Sequence, residues 1–167
     1  MESMKILVMS DSHGASPAVE RVLRMHEDAD MIVHLGDGER EMSRLLDLVP
    51  WLEDKLFYLK GNCDTGRLIY RTQRTLTQSL PYGHRLFAAH GDALHVKFGT
   101  SRIVYEARSA GADIVLYGHT HVRESRYEDG IYIINPGSLG CPRDGKAPGY
   151  AIVDVLPGGV LVSLATL

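Results

Sequence analysis

The chain has 167 residues, 44% of them apolar and 23% charged, with a formal net charge of −3. That size and balance suit one globular domain, residues 1–167, removing roughly 70% of its unfolded surface from water, and argue against disorder or repeat arrays. The acidic balance argues against broad, salt-driven binding to long nucleic acid, which needs a basic face; two cysteines are too few for a disulfide framework.

The opening MESMKILVMSDSHG holds an apolar run of the wrong size for a secretory signal and no small-residue cleavage site. No run approaches the ~20 apolar residues that span a bilayer. A cytoplasmic protein with reduced thiols and no membrane association is expected.

MKILVMSD is a nearly continuous apolar run ending in polar residues, which predicts a strand buried on both faces. Ser16 and Pro17 then read as cap and first turn of a helix with Ala18, Val22 and Met25 on one side and Val19 and Leu23 beside them. MIVHLGD is the next strand, and EREMSRLLDLV a second helix presenting Met42, Leu45 and Leu46 to a sheet. KLFYLKGNCD contains a third strand. RTLTQSLPYGHRLFAAHGD reads as two strands around a Pro-Tyr-Gly turn. SRIVYEARSAG is a helix carrying Ile103, Val104 and Ala107 on one face, and ADIVLYGHTH is a strand. The remainder is β-structure with a Glu-Asp-Gly turn and a Pro-Gly-Gly hairpin. Alternating β/α units followed by antiparallel strands predict an α/β fold of two sheets packed face to face with helices outside.

Five strand ends carry chemistry: SDSHG (Asp11, His13), LGDG (Asp37), GNCD (Asn62), AHGD (His90) and GHTH (His119, His121). From Asp11 to His119 they follow one another at 26, 25, 28 and 29 residues, close to the ~30 of a βαβ unit. Carboxyl ends of strands gather at one edge of an α/β sheet, where ligands bind. Two carboxylates, four imidazoles and an amide oxygen suit borderline divalent cations such as Mn²⁺, Fe²⁺, Ni²⁺ or Zn²⁺. Seven donors are too many for one ion and divide between two if Asp37 spans both. Such a site stays net positive with a hydroxide between the ions, attracts a phosphate and acidifies a shared water. In an extended segment, side chains two apart point the same way, so His119 and His121 are expected to reach neighbouring ions while Thr120 faces away.

The ordered series D-x-H, G-D, G-N-x-[DE], H-G, G-H-x-H resembles the calcineurin-like metallophosphoesterases, and in particular their small bacterial and archaeal phosphodiesterase group. The likeness runs from Asp11 to INPGS at 134–138. It implies a four-layer αββα sandwich of two mixed sheets and a dinuclear centre, with Mn²⁺ expected and Fe, Ni or Zn as alternatives. One ion would be held by Asp11, His13, Asp37 and His121, the other by Asp37, Asn62, His90 and His119, with a bridging hydroxide attacking phosphorus in line. Asp37, Asn62, Cys63 and His90 form the candidate catalytic set. Many members carry histidine after the motif asparagine, where it is thought to protonate the leaving group; here that residue is Cys63. A thiol donates weakly, so the expected activity is hydrolysis of small phosphodiesters of acidic alcohols, with weak action on monoesters. A packing role for Cys63 is the alternative. Where many relatives have a second histidine this chain has Asp92, a candidate acceptor behind the ligands.

His34 reads as a hydrogen-bonded core residue, and His26, His84 and His95 as surface or structural. Ser138 lacks the first glycine of a nucleophile elbow, and GDGERE lacks the third glycine of a dinucleotide loop. Asn135-Pro136-Gly137 reads first as a turn that can support the site. Arg67, Arg71 and Arg74 are candidates for touching a substrate anion. A partner-binding scaffold like the retromer subunit Vps29, or a nuclease like Mre11, are the competing functions, and homo-oligomer formation stays open.

Overall fold

The computed structural model describes residues 2–167. Alternation along the strands builds its layers, because successive side chains of a strand leave on opposite faces. Strand β1 (Met4–Met9) sends Ile6 and Val8 one way and Leu7 and Met9 the other, all fully buried. Burial on both faces requires a layer on each. Ile6 and Val8 join Met31 and Val33 of β2 (Met31–His34), and meet Leu86 and Ala88 of β5 (Arg85–Ala89) and Ile114 and Leu116 of β6 (Ile114–Leu116) in one cluster. Leu7 and Met9 instead pack on Val19, Val22 and Leu23 of α1 (Ser16–Met25) and on Met42 and Leu45 of α2 (Glu39–Leu48). On the far side, Phe87, Ala89 and Val115 pack on Ile103 and Ala107 of α3 (Ser101–Ser109). The order is helix, sheet, sheet, helix, as expected.

The first sheet runs β10 (Gly159–Thr166), β9 (Gly149–Leu156), β1, β2, β3 (Leu56–Tyr58). Within it β1, β2 and β3 are parallel, and β9 and β10 form the antiparallel edge. The second runs β4 (Thr75–Ser79), β5, β6, β8 (Ile131–Asn135), β7 (Glu124–Glu128), with β5, β6 and β8 parallel. The β7–β8 turn places Asp129 and Gly130 at φ 49° and 79°, the pair of positive angles that matches strand twist in a two-residue hairpin.

Helix α1 departs from its expected face. Ser16 lies inside the helix, Ala15 precedes it, and no side chain caps the start. Met25 is 52% exposed. At 100° per residue it sits about 120° around the axis from Val19, outside the arc of Val19, Val22 and Leu23.

Candidate metal centre

The loops after β1, β2, β3, β5 and β6 meet along one edge, where main-chain bonds stitch them together. Asp11 N–H donates to the Gly36 carbonyl (2.9 Å), His13 N–H to that of Asp37 (2.9 Å) and Gly118 N–H to that of His90 (3.0 Å). Asp11, His13, Asp37, His119 and His121 all have positive φ, between 41° and 70°. Such angles cost non-glycine residues of order 1 kcal/mol or more and persist where the surroundings over-determine them; Asp and His tolerate them better than most. His119 and His121 are therefore not extended as expected. Two left-handed residues flanking Thr120 turn the rings to different partners: His119 Nδ1 lies 3.2 Å from His90 Nε2, and His121 Nε2 lies 3.3 Å from His13 Nε2. The GHTH loop is braced by buried Asn135, whose amide donates to the Gly118 carbonyl (3.2 Å) and Thr120 Oγ1 (3.0 Å).

Main-chain carbonyls decide where two ring lone pairs point. His90 Nδ1 is 2.8 Å from the Leu35 carbonyl and His121 Nδ1 is 2.7 Å from that of Cys141. A carbonyl only accepts, so each Nδ1 carries the proton and each Nε2 offers its lone pair to the site. His90 Nε2 faces Asn62 Oδ1 at 3.0 Å and Asp37 Oδ2 at 3.3 Å; His121 Nε2 faces Asp11 Oδ1 at 3.1 Å. Leu35 thus takes the part expected of Asp92, whose side chain makes no hydrogen bond to His90. Asp11 Oδ2 accepts from the His119 N–H (3.0 Å) and the Ser10 hydroxyl, but the buried Asp11 Oδ1 has no hydrogen-bond partner. A buried anionic oxygen facing imidazole lone pairs is costly unless a cation sits among them. The donor set fits a divalent metal. Asp11, His13 and His121 converge in one group that could hold an ion, Asp37, His90 and His119 in a second, and His13, Asp37 and Cys63 in a third.

Charge follows the same geometry. Burial pushes the Asp11 carboxyl up, but the facing His121 and His13 imidazoles and the His90 charge hold it well below the usual range. Burial likewise opposes ionised Asp37, and contact with His90 outweighs it. His13 is raised by its contact with Asp11, and His90 is raised because Asp37 and Asp11 outweigh burial. His119 is lowered by burial, then by the charges of His90 and Lys97. Burial and then Asp37 raise the Cys63 thiol, which accepts from the Asn62 amide (3.6 Å) while its N–H donates to Asp37 Oδ1 (2.8 Å).

Three acids that composition did not single out hold these loops. Asp64 Oδ2 accepts from Asp37 N–H and Gly61 N–H (both 2.9 Å) and from the Tyr58 hydroxyl (2.8 Å). Glu41 accepts from the Ser12 hydroxyl (2.6 Å) and Gly14 N–H (2.8 Å). Glu39 accepts from the N–H groups of Thr65, Arg67 and Leu68 at 2.7 to 2.9 Å. The available signal was two acids in the first turn of a helix that follows a motif loop. At Gly61 a Cβ would stand 2.0 Å from Asp37 Oδ1, so the loop approaches only because that residue is glycine.

His34 is a core residue, as expected. Its Nδ1 accepts from Gly36 N–H (3.1 Å), so Nε2–H donates to Ser12 Oγ (2.9 Å). Burial pushes its pKa down to about 4. His26 meets the Tyr150 hydroxyl (3.0 Å), His84 pairs with Asp113 (2.6 Å) and His95 is exposed. Two clefts open over the candidate ligands. One, about 610 Å³, is lined by Glu39, Arg40, Glu41, Asp64 and Leu68; the other, about 270 Å³, by Asn62, His119, His121, Lys97 and Arg143; His13, Asp37 and Cys63 border both. Arg67, Arg71 and Arg74 are exposed and line neither.

Residues 4–157 match the model of the calcineurin-like phosphoesterase superfamily domain. The chain is 32% identical over 151 residues to the probable metallophosphoesterase YsnB of Bacillus subtilis, covering 90% of this chain and 83% of that one. It is 30% identical over 168 residues to the phosphodiesterase YfcE of Escherichia coli, covering 90% and 88%. Among solved structures, a predicted phosphoesterase from Streptococcus pneumoniae superposes with a TM-score of 0.81 at 32% identity, over 99% of this chain and 91% of that one. Zinc-bound Vps29 of Entamoeba histolytica superposes with 0.72 at 19% identity, over 97% and 98%, a likeness of fold alone. By its domain match and these relatives, the chain belongs to the calcineurin-like phosphoesterase superfamily.

Proposed function

We propose that the protein is a metal-dependent phosphodiesterase that hydrolyses small phosphodiesters at a pair of divalent ions, Mn²⁺ foremost. The observation that carries the reading is the unpartnered Asp11 Oδ1 facing the lone pair of His121, with Asp37 placed between His13 (3.8 Å) and His90 (3.3 Å). Asp11, His13, Asp37 and His121 would hold one ion, and Asp37, Asn62, His90 and His119 the other. Bound ions would supply positive charge toward the phosphoryl oxygens and acidify a water. The Leu35 and Cys141 carbonyls keep His90 and His121 in the tautomer that can ligate. Hydrolysis forms a bond from water oxygen to phosphorus and breaks one ester P–O bond; the leaving alcohol takes up a proton.

Cys63 is the residue at hand for that proton, and its raised pKa makes it a weak acid. Acid–base help contributes ~10²–10⁴-fold where it operates, so its weakness favours esters of acidic alcohols. The clefts beside the ligands, about 610 and 270 Å³, suit small substrates. No helix of the described residues is long and apolar enough to cross a membrane, and both cysteines are free, in keeping with a reducing cytoplasm. The test compares bis-p-nitrophenyl phosphate with p-nitrophenyl phosphate, Mn²⁺ present, in wild type and Cys63→His. Wild type is expected to prefer the diester, and the histidine to raise the monoester rate about 10²-fold. Equal monoester rates refute the Cys63 assignment; no hydrolysis of any diester favours a Vps29-like scaffold.

A further inference from the structure

We infer that the preferred substrate is an asymmetric phosphodiester with one negatively charged ester arm, recognised by Lys97 and Arg143. The inference rests on the phosphodiesterase reading and adds the identity of one ester arm. His13, Asp37 and Cys63 border both clefts, so a phosphorus atom seated beside them sends one arm into each. The clefts differ in charge. The larger is rimmed by Glu39, Glu41 and Asp64 with Arg40 as its one cation, and Leu68 adds apolar surface. The smaller contains Lys97 and Arg143, and beyond the shared Asp37 no carboxylate lines it.

Those two cations are uncommitted. Among the described residues, lysine and arginine ion pairs involve Lys5, Arg24, Arg123 and Arg126. The neighbouring Asp144 is consumed by Arg123 at 2.7 Å, in a pair with both side chains at least nine-tenths buried. That pair also anchors the loop presenting Arg143, whose N–H donates to the His121 carbonyl (2.9 Å). Arg143 is thus tied by its main chain to a candidate metal ligand, with its guanidinium unneutralised. A cleft lined by one sign of charge concentrates the opposite sign. About 270 Å³ admits a carboxylate or second phosphate on a short alcohol, while the larger acidic cleft takes a neutral or cationic arm.

The experiment uses a near-isosteric pair, p-nitrophenyl carboxymethyl phosphate and p-nitrophenyl carbamoylmethyl phosphate, with Mn²⁺-loaded protein at low and high salt. Wild type should show a higher kcat/KM for the carboxymethyl ester, an advantage that shrinks with salt. In Lys97→Gln/Arg143→Gln that ratio should fall about 10-fold, the product of two exposed charge contacts, and chiefly through KM. A ratio unchanged in the double variant, or a wild type that does not favour the anionic arm, overturns the inference. Calorimetric binding of the two phosphonates that replace the aryl oxygen with methylene reads the same ratio without turnover. Absent hydrolysis then counts against the phosphodiesterase reading, and absent binding selectivity counts against the assignment of Lys97 and Arg143.

Discussion

The layer between the sheets and the loop edge above it obey opposite rules. Between the sheets, Ile6, Val8, Val33, Leu86, Ile114 and Leu116 are fully buried and wholly apolar, and every strand keeps regular register. At the edge, five candidate ligands share left-handed backbone angles, and a buried carboxylate oxygen lacks a partner. The contrast teaches that the edge is a place where the fold carries cost and the interior is what tolerates it. Conformational strain and an unpaired charge persist when surrounding structure over-determines them and a ligand relieves them.

Asp11→Asn gives the sharpest break. The amide can donate to His121 Nε2 where Oδ1 now faces a lone pair at 3.1 Å, and asparagine tolerates the same backbone angle. Activity should fall at least ~10³-fold as a ligand is lost. Added Mn²⁺ should raise the urea midpoint of wild type and leave that of the variant nearly unchanged, since an ion stabilises only the folded form that holds it. A variant stabilised by Mn²⁺ as much as wild type would contradict the reading of that oxygen.

Leu116→Ala is the converse. Leu116 is fully buried between the two sheets, with 0% of its surface accessible, and truncation should cost about 3 kcal/mol. Its ligand loop begins beyond the strand, so Mn²⁺ affinity should change far less than stability. A comparable loss of both would show that edge and interior are not separable.

A third prediction concerns pH and has a sign. Folded His34 titrates at about 4 against an ordinary 6.5, so the unfolded chain takes up the proton first. The contribution is intact above pH 6.5, is lost as pH falls toward 4, and levels off below. Its span is about 3 kcal/mol. Urea midpoints of metal-free wild type and His34→Gln, compared from pH 7 to 4, should converge over that window. Parallel curves would mean that His34 is not the buried neutral group described.

The interior and the edge were also unequally legible in the sequence. Apolar runs such as MKILVM and ADIVL place strands directly, because burial on two faces leaves no polar positions. The candidate ligand loops were legible through chemistry and spacing: Asp11, His13, Asp37, Asn62, His90, His119 and His121 all reach the edge. Their geometry was not. The His-x-His segment converges through left-handed angles that no local pattern signals. Glu39 and Glu41 look like ordinary surface acids, and Asp64 shows only as the last position of G-N-x-[DE]; their roles depend on partners 27 residues away in contacts such as Glu41 to Gly14 and Asp64 to Asp37. Lys97 and Arg143 line a cleft that Arg67, Arg71 and Arg74 do not reach, because cleft lining is set by loop packing rather than by proximity to a motif. Met25 failed for a simpler reason, a rotation around α1 that places it outside the buried arc.

Metal stoichiometry is the most direct test of the central claim. Metal-free protein titrated with Mn²⁺ and followed by electron paramagnetic resonance should take up two ions per chain, with spin coupling between them. Asp37→Ala should abolish that coupling. Uptake of a single uncoupled ion by wild type, or two ions whose coupling survives Asp37→Ala, would contradict the account.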